Sequence, residues 1–176
     1  MTRVQQETQF ATWLREYSFI CVRIARAFEF DADAQADLLQ EILLQWWRSI
    51  PNFPRIENPR PWLYRVSLNA ALTWQRRESR RGRIIDRSAP FAQLVETVVQ
   101  PVDSVGRDAI DDLYRAIRQL RPAERALILL HLEGFSYEEI AGTIGISANA
   151  VGSRLTRVRD NLGRLMKGIS QHHERV

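Results

Sequence analysis

The sequence predicts an all-α protein made of two small helical domains joined by a flexible linker. Apolar residues recur every three or four positions over most of the chain, which is the period of a helix with one buried face. Residues 81–105 lose this period and contain a glycine and two prolines, so we interpret them as a linker between domains at 5–80 and 106–170. The 176 residues, 45% of them hydrophobic, are enough for two small cores.

The first helix is predicted from about residue 5 to residue 29. Its apolar positions keep the helical period and so form a core-facing stripe. The stripe consists of Phe10, Trp13, Leu14, Tyr17, Cys21, Ile24 and Phe28. Cys21 is the one cysteine of the chain, which excludes an internal disulfide, and its place in the stripe indicates a packing role.

A second helix is predicted from an N-cap at Asp33 to about Ser49. Turned at 100° per residue, this helix has two faces. The face expected in the core carries Leu39, Ile42, Leu43, Trp46 and Ile50. The opposite face carries acids and an amide around a leucine, and its members are Asp37, Gln40, Glu41, Leu44 and Arg48. This composition suits either a solvated surface or a docking surface.

A loop with four prolines between residues 51 and 61 precedes the third helix. Proline disfavours helix in the residue before it, although Pro61 itself fits the first helical turn. One side of this helix is a mixed polar and basic stripe beside Trp62, made of Arg65, Asn69, Thr73, Arg76 and Arg80. Such a stripe suits a nucleic acid whose bases are exposed and can stack. Trp62 is equally compatible with the core, and Trp74 is expected in the core.

Helices resume near Gly106 in the C-terminal half. In the first of them the apolar residues at helical spacing are Ile110, Leu113, Ile117 and Leu120. Pro122 then opens a helix whose segment ALILLHL is apolar nearly all round. A helix of that composition is expected to be buried.

Residues 136–159 have the pattern of a helix-turn-helix. Ser136 and Glu139 have the spacing of a capping box, and Gly145 stands where the chain must turn. Ser147 offers a second N-cap ahead of a longer helix. The buried face of that helix is predicted to carry Val151, Leu155, Val158, Leu162 and Leu165.

The outer face of this longer helix carries small polar groups and arginines. Its members are Asn149, Gly152, Ser153, Arg154, Thr156, Arg157 and Arg159. The second helix of a helix-turn-helix presents such groups to the DNA major groove. Ordinary solvated positions would look similar, but their combination with two caps and a glycine turn favours DNA binding.

The charges of the chain favour a polyanionic partner. The formal net charge is +4 and the isoelectric point is near 9.8. The basic residues gather in two blocks, one within 65–87 and one within 154–167. Most are arginines, which contact phosphates and guanine edges bidentately.

Several other functions find no support in the sequence. No apolar run is long enough to span a membrane, so a cytoplasmic protein is expected. The three histidines, His131, His172 and His173, do not have the arrangement of a metal site. No phosphate-binding glycine loop or catalytic constellation is evident, so neither a cofactor nor an enzyme is predicted.

Together these segments resemble a bacterial extracytoplasmic-function, or group IV, sigma factor of the sigma-70 family. DLLQEILLQWWRSIPNF and PWLYRVSLNAAL are similar to the family's region two, and LRPAERALILLHLEGFSYEEIAGTIGISANAVGSRLTRVRDNL is similar to its region four. The similarity extends over nearly the whole chain. It implies a region-two three-helix bundle and a region-four helix-turn-helix in a factor that recruits core RNA polymerase to specific promoters.

The resemblance also implies a role for each surface. The residues that would grip the clamp helices of the polymerase largest subunit are Asp37, Gln40, Glu41, Leu44 and Arg48. Those that would melt and read the minus-ten element are Phe53, Arg55, Asn58, Trp62, Arg65, Asn69, Thr73, Arg76 and Arg77. Those that would read the minus-thirty-five element as duplex are Ser147, Asn149, Gly152, Ser153, Arg154, Thr156, Arg157 and Arg159. The polymerase flap and an anti-sigma factor are further implied partners.

Two departures from the family pattern bear on promoter readout. Relatives usually carry a lysine or arginine at the position of Gly152, and often an aromatic residue or histidine at that of Thr156. Readout would then rest more on Ser153, Arg154 and Arg157, or on DNA shape. The resemblance also implies that a base of the minus-ten element leaves the stack and enters a pocket of the protein. The loop before Trp62 is richer in proline than usual, which leaves the identity of that base open.

Two other functions fit parts of the pattern. A free-standing helix-turn-helix regulator would use only the C-terminal domain, and it would leave the outer face of the second helix unexplained. A polymerase-binding adaptor or inhibitor would bind polymerase without opening a promoter, and the absence of a side chain at Gly152 is its best support.

Overall fold

The structure is a computed structural model that describes residues 2–53, 57–78 and 107–173. These residues form seven α-helices and one short 3-10 turn, with no strand among them. The all-α prediction is therefore confirmed. The chain divides into two compact units, Met1–Gln100 and Pro101–Val176. The linker predicted at 81–105 lies outside the described residues.

The N-terminal unit is a bundle of three helices, each of which packs against the other two. They are α1 (Arg3–Phe28), α2 (Ala32–Ser49) and α3 (Arg60–Glu78), with a 3-10 turn at Ile50–Asn52 between the last two. Most residues of the predicted apolar stripes meet in the core, where the fully buried side chains include Trp13, Ile24, Ile42, Trp46 and Leu63. The predicted three-helix bundle is therefore confirmed. The prediction of a buried position was wrong for Leu14 and Tyr17, which are only half-buried.

Two linked hydrogen bonds lie in the core of this bundle. The indole Nε1 of Trp46 on α2 donates to Ser67 Oγ on α3 at 2.9 Å. Ser67 Oγ in turn donates to the carbonyl of Leu63 at 2.8 Å. All three residues are buried, and the polar hydrogens of Trp46 and Ser67 each have an acceptor.

The N-cap of α2 is Asp31, so the prediction of Asp33 was wrong. One carboxylate oxygen of Asp31 accepts from the backbone N–H groups of Asp33 and Ala34, both at 3.1 Å. Asp31 has extended backbone torsions, whereas Asp33 already lies in the first helical turn. The helix therefore begins earlier than predicted, at Ala32, because the carboxylate of Asp31 occupies the N-cap position.

The C-terminal unit is built around its last helix. Its helices are α4 (Arg107–Gln119), α5 (Pro122–Leu132), α6 (Tyr137–Ile144) and α7 (Ala148–His173), and α7 packs against the other three. Gly134, between α5 and α6, has a φ of +79°, which a side chain would disfavour. The turn it makes brings α6 back against α5 and α7.

Among the described residues of this unit, helix α5 has the longest uninterrupted run of buried residues. Ala126, Leu127, Ile128, Leu129 and Leu130 are all buried. The prediction that the segment ALILLHL is buried was wrong at its end, because Leu132 is 53% exposed. Leu132 is the last residue of α5, where the chain turns away toward Gly134.

The described residues carry none of the features of a membrane span, a metal site or a reactive cysteine. No helix in the described ranges is long and apolar enough to cross a membrane. Among these same residues no group of His, Cys, Asp and Glu side chains could hold a metal ion. Burial raises the pKa of the Cys21 thiol well above its usual value, so this cysteine stays protonated and is a packing residue.

Candidate nucleic-acid interface

The helix-turn-helix is held by the local bonds that the sequence predicts. Ser136 Oγ accepts from the backbone N–H of Glu139 at 3.2 Å, and the carboxylate of Glu139 accepts from that of Ser136 at 2.8 Å. Gly145 ends α6 in the left-handed conformation, with φ +75°. Ser147 Oγ accepts from the N–H of Ala150 at 3.3 Å. Both caps and the turn are therefore confirmed.

The two faces of α7 separate as predicted, except that Leu165, predicted on the buried face, is only half-buried. Val151, Leu155 and Val158 are buried against the rest of the unit. The outer face leaves its predicted DNA residues exposed, and these are Asn149, Ser153, Arg154, Thr156, Arg157 and Arg159, with Ser147 just before the helix. No ion pair engages the three arginines within the described part of the chain, so their guanidinium groups are available to DNA.

Gly152 is the one predicted DNA residue of α7 that is half-buried. The ring of Tyr137, the first residue of α6, covers it: a Cβ atom added at Gly152 would lie 3.3 Å from Tyr137 Cε2 and 3.7 Å from Cδ2. Tyr137 is itself 41% exposed. Tyr137 was not predicted from the sequence, because a spacing of fifteen residues carries no signal of contact.

The predicted stripe on α3 is also exposed. Arg65, Asn69, Thr73, Arg76 and Arg77 all face solvent along this helix. Their spacing of three or four residues keeps them on one side of α3. Arg80 lies outside the described residues.

A cluster of aromatic rings lies beside this stripe, at the start of α3. Trp62 packs against Trp13 and Phe53, with ring centroids 5.5 Å and 4.9 Å apart, and Phe53 packs edge-on against Trp13 at 4.9 Å. Both Trp62 and Phe53 remain half-exposed. The structure thus combines the two alternatives for Trp62, because the ring anchors the loop to the core and still presents an edge to solvent.

The predictions for three further residues of the N-terminal unit have different outcomes. Asn58 is exposed, and its side-chain oxygen accepts from the N–H of Arg60 at 3.1 Å, at the start of α3. Arg55 lies outside the described residues. Trp74 is only half-buried, and its Nε1 donates to a carboxylate oxygen of Glu29 at 2.8 Å. The prediction that Trp74 is a core residue was therefore wrong.

The outer face of α2 stays open in the folded bundle. Asp37, Gln40, Glu41 and Leu44 are half-exposed and Arg48 is exposed. A side chain that the sequence analysis did not single out, Gln45, donates from Nε2 to Glu41 Oε1 at 2.8 Å. This bond holds the carboxylate at the edge of the face.

A groove of about 350 Å³ joins this face to the stripe on α3. The α2 side of the groove is lined by Glu41 and Gln45. Its α3 side is lined by Val66, Asn69, Ala70, Thr73 and Arg77. Residues that the sequence assigns to two different partners are therefore adjacent in space.

Comparison with known proteins gives consistent matches for both units. Residues 13–81 match the sequence family sigma-70 region 2, and residues 110–162 match the sequence family sigma-70 region 4. RNA polymerase sigma-H factor of Pseudomonas aeruginosa is 30% identical over 150 residues, covering 81% of this chain and 78% of the relative. ECF RNA polymerase sigma factor EcfG of Rhodopseudomonas palustris is 30% identical over 158 residues, covering 87% and 84%.

A solved structure shares the fold as well. The sigma factor RpoE of Bartonella quintana, in complex with the anti-sigma factor NepR, superposes with a TM-score of 0.69 at 25% identity. The match covers 90% of this chain and 97% of that chain.

Proposed function

The chain belongs to the sigma-70 family of RNA polymerase sigma factors, as a member of the extracytoplasmic-function type, and from this membership we propose how its surfaces divide the work of initiation. Its partners are core RNA polymerase and promoter DNA. RNA synthesis belongs to the polymerase, so we assign no catalytic group to this chain. Because the polymerase that it serves works in the bacterial cytoplasm, we place the protein there.

The outer face of α2 binds the clamp helices of the polymerase in this proposal. Its residues remain accessible after the bundle has formed, although one of them, Leu44, is apolar. A half-exposed leucine surrounded by carboxylates and amides has the composition of an interface with an apolar centre and a polar rim. Asp37 and Glu41 then offer negative charge to basic residues of the partner.

The stripe on α3 receives the minus-ten element. Arg65, Arg76 and Arg77 carry charge for the phosphates, while Asn69 and Thr73 offer hydrogen bonds to base edges. Extruding a base from the duplex costs about a few kcal/mol. Binding of the exposed base and single strand offsets this cost, so the protein shifts the equilibrium toward the open promoter. The single observation that carries the proposal is the groove that sets this stripe beside the α2 face.

The outer face of α7 reads the minus-thirty-five element as duplex. Its three exposed arginines reach guanine edges and phosphates, and the small side chains between them let the helix approach the major groove closely. The domains at 5–80 and 106–170 would thus act on two promoter elements, with the linker crossing the polymerase between them.

A protein inhibitor is part of the same proposal. The Bartonella quintana factor that this chain resembles was solved with an anti-sigma factor bound. A partner of that class, covering the α2 face, would keep this chain from the polymerase. The expected result is that adding such a partner to the purified protein abolishes its binding to core polymerase.

The test of the function is a reconstitution with sigma-free bacterial core polymerase. We expect the purified protein to co-elute with core and to start transcripts at a defined site upstream of its own operon. Asp37→Arg should abolish co-elution, because it reverses a charge at the α2 face. Glu16→Arg, which makes the same charge change at an exposed position of α1, is the matched control and should bind core normally.

Other outcomes of this test would indicate a different function. Core binding without transcript initiation would indicate the adaptor or inhibitor. Duplex binding without any core binding would indicate a free-standing regulator and overturn the proposal.

A further inference from the structure

Tyr137 lies where the two helices of the helix-turn-helix meet at their exposed surface. It is the first residue of α6, yet its ring rests on Gly152 in α7, with 3.3 Å between Tyr137 Cε2 and the position of an added Cβ atom. With 41% of the residue exposed, the ring borders the proposed DNA face rather than the core. It therefore reaches toward the same surface as the arginines of α7.

Nearby groups on α7 are less free to reach DNA. Ser153 Oγ donates to the carbonyl of Ala150 at 3.2 Å, and Thr156 Oγ1 donates to that of Gly152 at 3.1 Å. Their hydroxyl hydrogens are therefore used within the helix. By contrast, no hydrogen bond of the Tyr137 hydroxyl occurs within the described part of the chain, so its hydrogen can be donated to a ligand.

We propose that Tyr137 is a DNA-contacting residue of this protein and that Gly152 positions it. This inference rests on the proposed reading of the minus-thirty-five duplex by α7. In a helix-turn-helix the second helix enters the major groove while the first helix crosses the DNA backbone. Tyr137 belongs to the first helix, so its hydroxyl donates to a phosphate oxygen at the edge of the groove that α7 enters.

The neighbouring charges agree with a contact through the phenol. Glu138 and Glu139 follow Tyr137 in the first turn of α6, and their carboxylates repel a phosphate that approaches the helix start itself. The phenol extends away from that turn, toward α7. Because the ring rests on Gly152, its orientation is set before DNA binds, which reduces the entropy lost on binding.

The proposal explains a glycine inside a helix that would be more stable with alanine. Any side chain at position 152 pushes against the ring of Tyr137. Gly152→Ala should therefore stabilise the helix and still weaken DNA binding. A residue that only served helix stability would show the first effect without the second.

The experiment is a double-mutant cycle on the full chain. The probe is a short duplex that carries the minus-thirty-five element of the promoter mapped by reconstituted transcription. We expect Tyr137→Phe to raise the Kd about fivefold, which corresponds to about 1 kcal/mol, and Gly152→Ala to raise it about threefold. In the Tyr137→Phe background Gly152→Ala should have almost no further effect, because the two residues act through one contact.

A matched control comes from the same helix. Gly163 is exposed on α7, and a Cβ atom added there would meet nothing within 4 Å. Gly163→Ala should raise the Tm as an alanine in a helix does, and it should leave the Kd unchanged.

Three results would overturn the inference. One is an unchanged Kd for Tyr137→Phe, and another is an equal loss from Gly152→Ala in both backgrounds. The third is a loss that depends on the sequence of the duplex, since a phosphate contact should weaken binding equally on an unrelated duplex. If the wild-type protein starts transcripts but the variants bind the duplex as tightly as it does, this inference alone is refuted. If the wild-type protein starts no transcripts, the proposed function is refuted.

Discussion

Gly145 shows how a single residue can set the geometry of a DNA-binding motif. Its φ of +75° lies in the left-handed region, which residues with a side chain enter at a cost of about 1–2 kcal/mol. In this conformation its N–H and that of Ile146 both donate to the carbonyl of Ala141, at 2.9 Å and 3.2 Å. These bonds end α6 and direct the chain into α7.

The first prediction concerns this glycine. Gly145→Ala should lower the free energy of unfolding by about 1–2 kcal/mol, because the alanine must adopt a strained backbone conformation. Gly142→Ala is the matched control: it lies in α6 without a positive φ, and its added Cβ atom meets nothing within 4 Å. It should raise the free energy of unfolding by about 1 kcal/mol. Urea denaturation followed by circular dichroism measures both free energies. A change in the same direction for both variants would contradict a special backbone requirement at Gly145.

At the scale of elements, the N-terminal bundle depends on how α2 meets α3. Most of that contact is apolar, but the hydrogen bond from Trp46 to Ser67 fixes the position of one helix against the other. A buried donor left without its acceptor costs about 1–3 kcal/mol. The bond therefore favours one alignment of the two helices over others, and with it the groove between their outer faces.

The second prediction tests this bond. Ser67→Ala should lower the free energy of unfolding of the N-terminal unit by about 1–3 kcal/mol, because Trp46 Nε1 would lose its acceptor in a buried site. Thr73→Ala, at an exposed position of the same helix, should have a small effect of either sign. Tryptophan fluorescence during denaturation reports on the change directly. A Ser67→Ala protein as stable as the wild type would show that the bond contributes nothing net.

At the scale of the whole molecule, the exposed residues that we propose to contact DNA fall into two groups that belong to separate compact units. The stripe on α3 combines arginines with an amide and half-exposed aromatic rings, which suits unpaired bases. The outer face of α7 combines arginines with small residues, which suits a duplex groove. We infer that one protein thereby binds DNA in two different states along a single promoter.

The third prediction separates these two tasks. Arg154→Ala or Arg157→Ala should weaken binding to the minus-thirty-five duplex by about 1–3 kcal/mol, because each removes an arginine from the face that we propose to enter the major groove. Asn69→Ala should leave that binding unchanged and slow promoter opening. Duplex binding is measured by fluorescence anisotropy, and opening by permanganate reactivity of unpaired thymines. Equal defects of all three variants in both assays would argue against the division of labour.

The sequence alone determined most of the helical structure and the family. Ser136, Glu139, Gly145 and Ser147 act through bonds within a few residues, so their roles can be read from spacing. The buried faces of α2 and α7 were likewise predictable, because a helix repeats its faces every three or four residues. The same periodicity identified the exposed arginines of α7 as candidates for DNA binding.

Only the tertiary structure decided which residues from different elements lie together. It seated Tyr137 on Gly152, selected Asp31 over Asp33 as the cap of α2, and packed Trp62 against both Trp13 and Phe53. It also joined the α2 face to the α3 stripe through one groove. These contacts depend on how helices pack against each other. Such packing is set by the complementary shapes of side chains from different helices. The helical period does not encode those shapes.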